Sequence, residues 1–205
     1  MSDAEDDGVE SEPTAQAAYA ERLRSLERRG IRRVVDVQAP YRWNLRRLHL
    51  GRVLDVGCGL GRNLVNLGAD SVGVDHNAES IRIARERGLA AYTPQEFADL
   101  ATPPASFDTL LYAHVLEHMD TAAGLRLIRE YLPYLREDGR LCVITPQERG
   151  YRSDATHVRF VDFASIREVV DEVRMTTERE FSFPFPRFIG RVFPYNEFVV
   201  VAGRG

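Results

Sequence analysis

The chain has 205 residues, 44% of them hydrophobic, and a net charge of −4; this suits one domain with a sizeable core and the composition of a soluble globule. No apolar run approaches the roughly 18 residues of a membrane span, and the N-terminus is acidic where a signal peptide would be basic, so a cytoplasmic protein with no membrane partner is expected. Residues 1–12 carry six acids and no base, which reads as a disordered acidic leader, and the remainder holds 27 bases, all arginine, against 25 acids. A body so close to neutral speaks against a nucleic-acid partner, although Arg28, Arg29, Arg32, Arg33, Arg42, Arg46 and Arg47 form one dense basic group suited to an anionic substrate.

In chain order, Thr14 to Arg29 has helical spacing (Ala18, Leu23, Leu26) that Gly30 ends, and a second short helix is expected before Pro40. From Arg52 onward apolar runs alternate with helical patterns, the signature of a parallel sheet covered on both faces. Strands are expected at 52–56, 71–75, 89–93, 108–113 and 139–145, and helices at 61–67, 77–87, 121–136 and 163–174. Asp162 should cap the last helix, and Pro133 should bend or shorten the third. Two final strands are expected near 177–183 and 195–202. Between them Phe183-Pro-Phe-Pro-Arg-Phe-Ile-Gly-Arg-Val-Phe-Pro-Tyr195 is too proline-rich for a strand and too aromatic for an ordinary exposed loop. An aromatic lip over a substrate, a dimer contact and packing on the N-terminal helices all remain open for it, as do a monomer and a homodimer. Cys58 and Cys142 lie too far apart in such a fold for a disulfide or metal knuckle, and read as reduced thiols.

The densest signal is Val53-Leu-Asp-Val-Gly-Cys-Gly-Leu-Gly-Arg62, followed by Gly73-Val-Asp75. It reads as a buried strand, a glycine turn, a helix start and a second strand ending in a carboxylate. Gly57, Gly59 and Gly61 allow a sharp turn and close approach of backbone to a ligand, and Asp75 follows Asp55 by 20 residues, the distance expected for an acid that grips ribose hydroxyls. The spacing is G-x-G-x-G rather than the G-x-G-x-x-G of dinucleotide sites, and Asp55 before it repels phosphate and attracts a cation. A positively charged adenosine derivative fits better than a nicotinamide cofactor.

On these residues, Val53 to Leu64 resembles motif I of the class I S-adenosylmethionine-dependent methyltransferases, of the small-molecule, ubiquinone-biosynthetic type. Gly73-Val-Asp75-His-Asn77 is similar to the family's second motif, Phe107 to His118 to its fourth and Leu132 to Pro146 to its fifth, so the resemblance covers residues 50–146 in the right order. It implies a Rossmann-like seven-stranded fold, mostly parallel with an antiparallel edge, over residues 50–205, and an N-terminal helical lid over 13–49. Tyr41, Arg42, Trp43 and Asn44 of that lid can reach the pocket, or Trp43 can simply pack the lid onto the core.

The resemblance also implies a donor site at the carboxyl ends of the strands. Gly57, Cys58, Gly59, Arg62 and Asn63 would contact the methionine portion, with Asp55 toward its ammonium. Asp75 would hold the ribose and His76 or Asn77 would flank the adenine. Gln95-Glu96-Phe97 falls where the family contacts the adenine ring, with Gln95-Glu96 in place of the usual Asp. Tyr112 and His114 would lie close to the sulfonium. His118 and His157 are the candidate catalytic bases.

His114, Glu117 and His118 can share a helical face, with His157 arriving from Ser153-Asp-Ala-Thr-His-Val-Arg-Phe160. This is similar to the Glu-x-x-Glu-His plus later His that holds a divalent ion in ubiquinone-biosynthetic O-methyltransferases and small-RNA 2'-O-methyltransferases. His114 stands where the first glutamate would be, which favours a softer ion than Mg²⁺ if a divalent metal binds. A structural histidine, a substrate contact and a general base remain alternatives. Asp154, His157 and Arg159 resemble a segment that faces the acceptor in small-molecule relatives, with loop bracing as the plainer role, and Arg149 and Arg152 suit a carboxylate or phosphate. The expected activity is methyl transfer to an oxygen or nitrogen of a small metabolite. A protein or RNA methyltransferase and a non-catalytic donor-binding module are the alternatives.

Overall fold

The computed structural model describes residues 39–204, so the acidic leader and the helices expected before Pro40 lie outside the described residues. The first described element is helix α1 (Ala39–Arg47), which has Pro40 in its first turn, where a missing N–H costs nothing. Strands β1 (Val53–Val56), β2 (Val72–Val74), β3 (Ala91–Tyr92), β4 (Phe107–Ala113), β5 (Leu135–Pro146), β6 (Thr176–Phe183) and β7 (Glu197–Gly203) form one seven-stranded sheet in the order β3-β2-β1-β4-β5-β7-β6. The first five strands pair in parallel, and β7 runs antiparallel to both β5 and β6. The antiparallel pairing is thus at the expected end of the sheet, with β7 one place in and β6 outermost. Exposed Glu178, Arg179 and Glu180 on β6 discourage further strand pairing there.

Helices α2 (Ala78–Glu86), α3 (Pro94–Asp99), α4 (Thr121–Tyr131), α5 (Glu148–Tyr151) and α6 (Phe163–Glu172) connect the strands. Side-chain caps start four of them: Asn77 accepts from Ser80, Thr93 from Glu96, Asp120 from Ala123 and Asp162 from Ser165. Pro133 shortens α4, which gives way to a 3₁₀ turn at Leu132–Tyr134.

The helix expected at 61–67 is not an α-helix: only a 3₁₀ turn forms, at Leu64–Asn66. Gly61, Asn63, Asn66 and Gly68 are poor helix formers, and the Asn66 side chain donates to the Arg62 carbonyl instead of facing solvent.

Alternate residues along the central strands feed two cores. Leu110, Tyr112, Leu141, Val143, Phe198 and Val200 join Ile128 of α4 and Ile166 and Val170 of α6. On the opposite face Leu111, Ala113, Cys142, Ile144 and Val199 join Leu45 of α1, and Leu48 just beyond it. Burial on both faces is what unbroken apolar runs require of a parallel sheet, and it leaves only the carboxyl ends of the strands for chemistry. Cys58 and Cys142 are buried and free. Among the described residues no helix is long and apolar enough to cross a membrane.

Candidate active site

The glycine turn after β1 is shaped by its lack of side chains. Gly57 has φ +80°, and a Cβ there would lie 2.4 Å from Cγ2 of Val115; Gly61 has φ +77°, and a Cβ would lie 2.3 Å from Leu89. The turn is pinned to β2 by Gly57 and Cys58 N–H groups donating to the Val74 carbonyl, at 2.7 and 3.1 Å. Asp75 completes the pinning: its two oxygens accept from the Gly59 and Asn77 N–H groups, both at 2.8 Å. The reading from sequence assigned Asp75 only to a ligand and missed this bracing role.

Asp55 is fully buried at the end of β1, and neither oxygen has a hydrogen-bond partner of normal geometry. Burial pushes its carboxyl up to about 7, partly offset by the nearby Asn63 amide and reinforced by the charge of Asp75. An orphaned buried carboxylate beside a side-chain-free cradle is matched by a ligand that carries a cation.

Two hollows open at the carboxyl ends of the strands. The first, about 370 Å³, is lined among others by Gly57, Asp75, His76, Pro94, His114, His118 and Thr156. The second, about 230 Å³, is lined by Tyr41, Arg62, Asn63, His114, Pro146, Pro194, Tyr195, Asn196 and Glu197. A larger groove of about 1060 Å³ runs between α4 and α6, away from the strand ends and with charges of both signs along it. The two smaller hollows share one lining residue, His114.

His114 has φ +59°, a left-handed conformation that an L residue adopts only when its surroundings hold it there. Its Nε2 lies 2.7 Å from Oε1 of Glu197, and its Nδ1 lies 3.3 Å from Oε1 of Glu117. Both carboxylates are buried, whereas the imidazole is half-exposed. Burial works against the imidazole's charge, but the bonds to Glu117 and Glu197 outweigh it and push its pKa up to about 10. Burial also raises the Glu197 carboxyl, with His114 offsetting part of the rise.

Of the four residues expected to converge, His114 lies outside the 3₁₀ turn at Leu116–His118 and is held by Glu197, whereas Glu117, His118 and His157 come together. One ligand atom from each lies within 4.8 Å of the others. Nδ1 of His157 donates to the Tyr151 carbonyl at 2.7 Å, and Nδ1 of His118 to the Thr156 carbonyl at 3.2 Å. Carbonyls accept only, so each ring carries its proton on Nδ1 and presents a lone pair at Nε2. The Tyr151 ring stacks on His157 at 5.4 Å and 14°. Such carbonyl-held imidazoles, beside the buried Glu117 carboxylate whose Oε2 has no hydrogen-bond partner, fit either a divalent ion or a proton acceptor.

Other expected contacts are placed elsewhere. Phe97 is in the core against Phe107, Tyr131 and Tyr134, because Pro94 opens a helix that turns its ring inward. Glu96 is the third residue of that helix, closing a capping box with Thr93 and pairing with Arg85, which holds its carboxyl down at about 2. Neither lines the hollows. Tyr112 is fully buried in the core, its hydroxyl near the Leu127 carbonyl. Strand alternation puts it on the face covered by α4 and α6, where it lines neither hollow. Cys58 packs among Leu64, Ile81 and Ala84, a site that pushes its thiol well above the usual range, and contributes backbone alone. Of the α1 residues, Tyr41 lines the second hollow and donates to the Tyr195 carbonyl. Trp43 lies over Phe183 at 6.1 Å, with Arg47 stacked on its ring. Glu197 had no sequence signal: it stands at the start of a strand, 83 residues from the histidine it holds.

The sheet order, glycine cradle and strand-end hollows are those of the class I S-adenosylmethionine-dependent methyltransferase fold. A methyltransferase domain model matches residues 54–143. Ubiquinone biosynthesis O-methyltransferase of Xanthomonas euvesicatoria is 35% identical over 103 residues, 46% of this chain and 42% of that enzyme. The corresponding Xylella fastidiosa enzyme is 38% identical over 103 residues, 46% of this chain and 41% of its own length. The matched part of the chain thus spans well under half the length of these curated relatives. Among solved structures, a putative methyltransferase of Haloferax volcanii, in a complex with the Trm112 methyltransferase activator, has a TM-score of 0.67 at 18% identity, covering 95% of this chain and 97% of that one. Magnesium protoporphyrin IX methyltransferase of Synechocystis PCC 6803 with bound S-adenosylmethionine gives 0.63 at 16%, covering 98% and 100%.

Proposed function

We propose that the chain transfers a methyl group from S-adenosylmethionine to an oxygen or nitrogen of a small-molecule acceptor. The observation that carries this is the cradle: a glycine turn that excludes side chains, a braced carboxylate at Asp75 and a buried, unpartnered carboxylate at Asp55. In this reading Asp75 takes the ribose hydroxyls with its remaining lone pairs, and Arg62 and Asn63 receive the amino-acid end of the donor. Asp55 faces the donor's ammonium. His76 and Pro94 flank the base. The donor supplies an electrophilic methyl with a good leaving group, so the protein's work is alignment and exclusion of water.

On the acceptor side, Nε2 of His118 or His157 takes the proton of the attacking group, since both rings hold their own proton at Nδ1. A divalent ion on Glu117, His118 and His157 is the second form of this reading, favoured by their mutual reach. Curated relatives named as O-methyltransferases and the near-neutral body support a small-molecule acceptor over a protein or RNA. The test is turnover of S-adenosylmethionine over a panel of hydroxy and amino acceptors, with and without chelator. Acceptor-dependent release of S-adenosylhomocysteine is expected. Binding without turnover on any acceptor would leave a donor-binding module, and chelator-insensitive turnover by metal-free protein would rule out the metal form.

A further inference from the structure

His114 is where the two hollows meet, and it is wedged between two buried carboxylates. One of them, Glu197, begins β7 and lies outside the segment shared with methyltransferase domains. The following step rests on the donor placement proposed above. In S-adenosylmethionine the sulfur joins the ribose to the amino-acid chain. With the ribose on Asp75 in the first hollow and the amino-acid end at Arg62 and Asn63 in the second, the sulfur has to pass His114. In the metal-free form of the site, two buried carboxylates face one imidazole at that crossing, so acidic side chains outnumber basic ones there. Arg62, the other charged side chain lining the second hollow, serves the donor's carboxylate.

We infer that Glu197 is a donor-specificity residue, giving the crossing a negative charge that favours the cationic methyl donor over the neutral product of transfer. The physical basis is that a buried charge interacts through a poorly screened medium, and that only the donor carries a charge at sulfur. Transfer removes the positive charge, so the attraction ends when the methyl leaves and the product is released from a site that no longer favours it. Glu197 also holds the left-handed His114 in place, a role that would affect charged and neutral ligands alike. The two contributions are therefore separable by ligand charge.

The experiment is calorimetric titration of S-adenosylmethionine, S-adenosylhomocysteine and sinefungin, in which an amine carries the charge in place of the sulfonium. Wild-type protein should bind sinefungin more tightly than S-adenosylhomocysteine. Glu197→Gln, which keeps the shape and one acceptor oxygen, should weaken both cationic ligands about tenfold and the neutral one less than about twofold. Equal loss for all three would show Glu197 to be a brace only and overturn the inference, as would wild-type protein that prefers the neutral ligand. If the variant does not fold, the wild-type comparison alone still overturns the inference when the neutral ligand is preferred. Failure of wild-type protein to bind any of the three would instead refute the donor reading itself.

Discussion

Asp75 and Asp55 are both acids at strand ends, yet they are held in opposite ways. Asp75 accepts two backbone N–H groups that brace the glycine turn, whereas Asp55 is sealed in with no normal partner. Asp75→Ala should therefore weaken S-adenosylhomocysteine binding by roughly 1.5–3 kcal/mol in calorimetry, through lost charge-assisted bonds to ribose. Unchanged affinity would take Asp75 out of the site. For Asp55 the prediction concerns pH. Its carboxyl rises from the ordinary 3.8 to about 7 on folding, so the ligand-free protein holds a proton that the unfolded chain gives up. That stabilisation is present below about pH 4 and lost as pH rises to about 7, an effect of up to about 4 kcal/mol. Urea unfolding of wild type and Asp55→Asn between pH 4 and 8 should show the variant gaining on the wild type as pH rises. Parallel pH profiles would contradict this. The glycines and both acids were legible in sequence because their spacing is dictated by the ligand-facing backbone. The bracing by Asp75 was not, since it depends on where the turn folds back in three dimensions.

At the level of elements, the aromatic segment between β6 and β7 is fastened by a buried polar knot. Asn196 donates to Gln147 and Ser182 and accepts from the Phe185 N–H, while Gln147 donates to Ser182 and the Glu197 carbonyl. Gly190 leaves room for Gln147, since a Cβ there would lie 1.8 Å from its Oε1. The segment is thereby anchored beside the second hollow, and Tyr41 of α1 ties onto it through the Tyr195 carbonyl. Asn196→Ala strands several of these buried groups and should cost about 2–4 kcal/mol in urea unfolding. A loss below about 0.5 kcal/mol would show that the knot does not hold the segment. Sequence reading saw that this segment had to cover something but could not see the knot, whose members are scattered from 147 to 196. It also had the means to place Glu96 and Phe97. Thr93-Pro-Gln-Glu96 is a capping-box pattern with proline in the first turn, which announces a helix rather than a ligand loop.

For the whole molecule, alternating apolar runs specified the parallel sheet well, because strands buried on both faces have to be apolar throughout. The antiparallel edge followed from the family resemblance rather than from periodicity, whereas the strand order and the insertion of β7 between β5 and β6 came from the structure alone. Folding leaves one end of this sheet uncapped by core, and there it gathers the glycine turn, the two acids, the His114 crossing and the His118–His157 pair. The claim that this end binds an activated methyl donor is tested most directly by calorimetric titration of wild-type protein with S-adenosylhomocysteine, with NADH as the control ligand. Saturable one-to-one binding of S-adenosylhomocysteine and none of NADH is the expected result; binding of NADH alone, or of neither, would contradict the account.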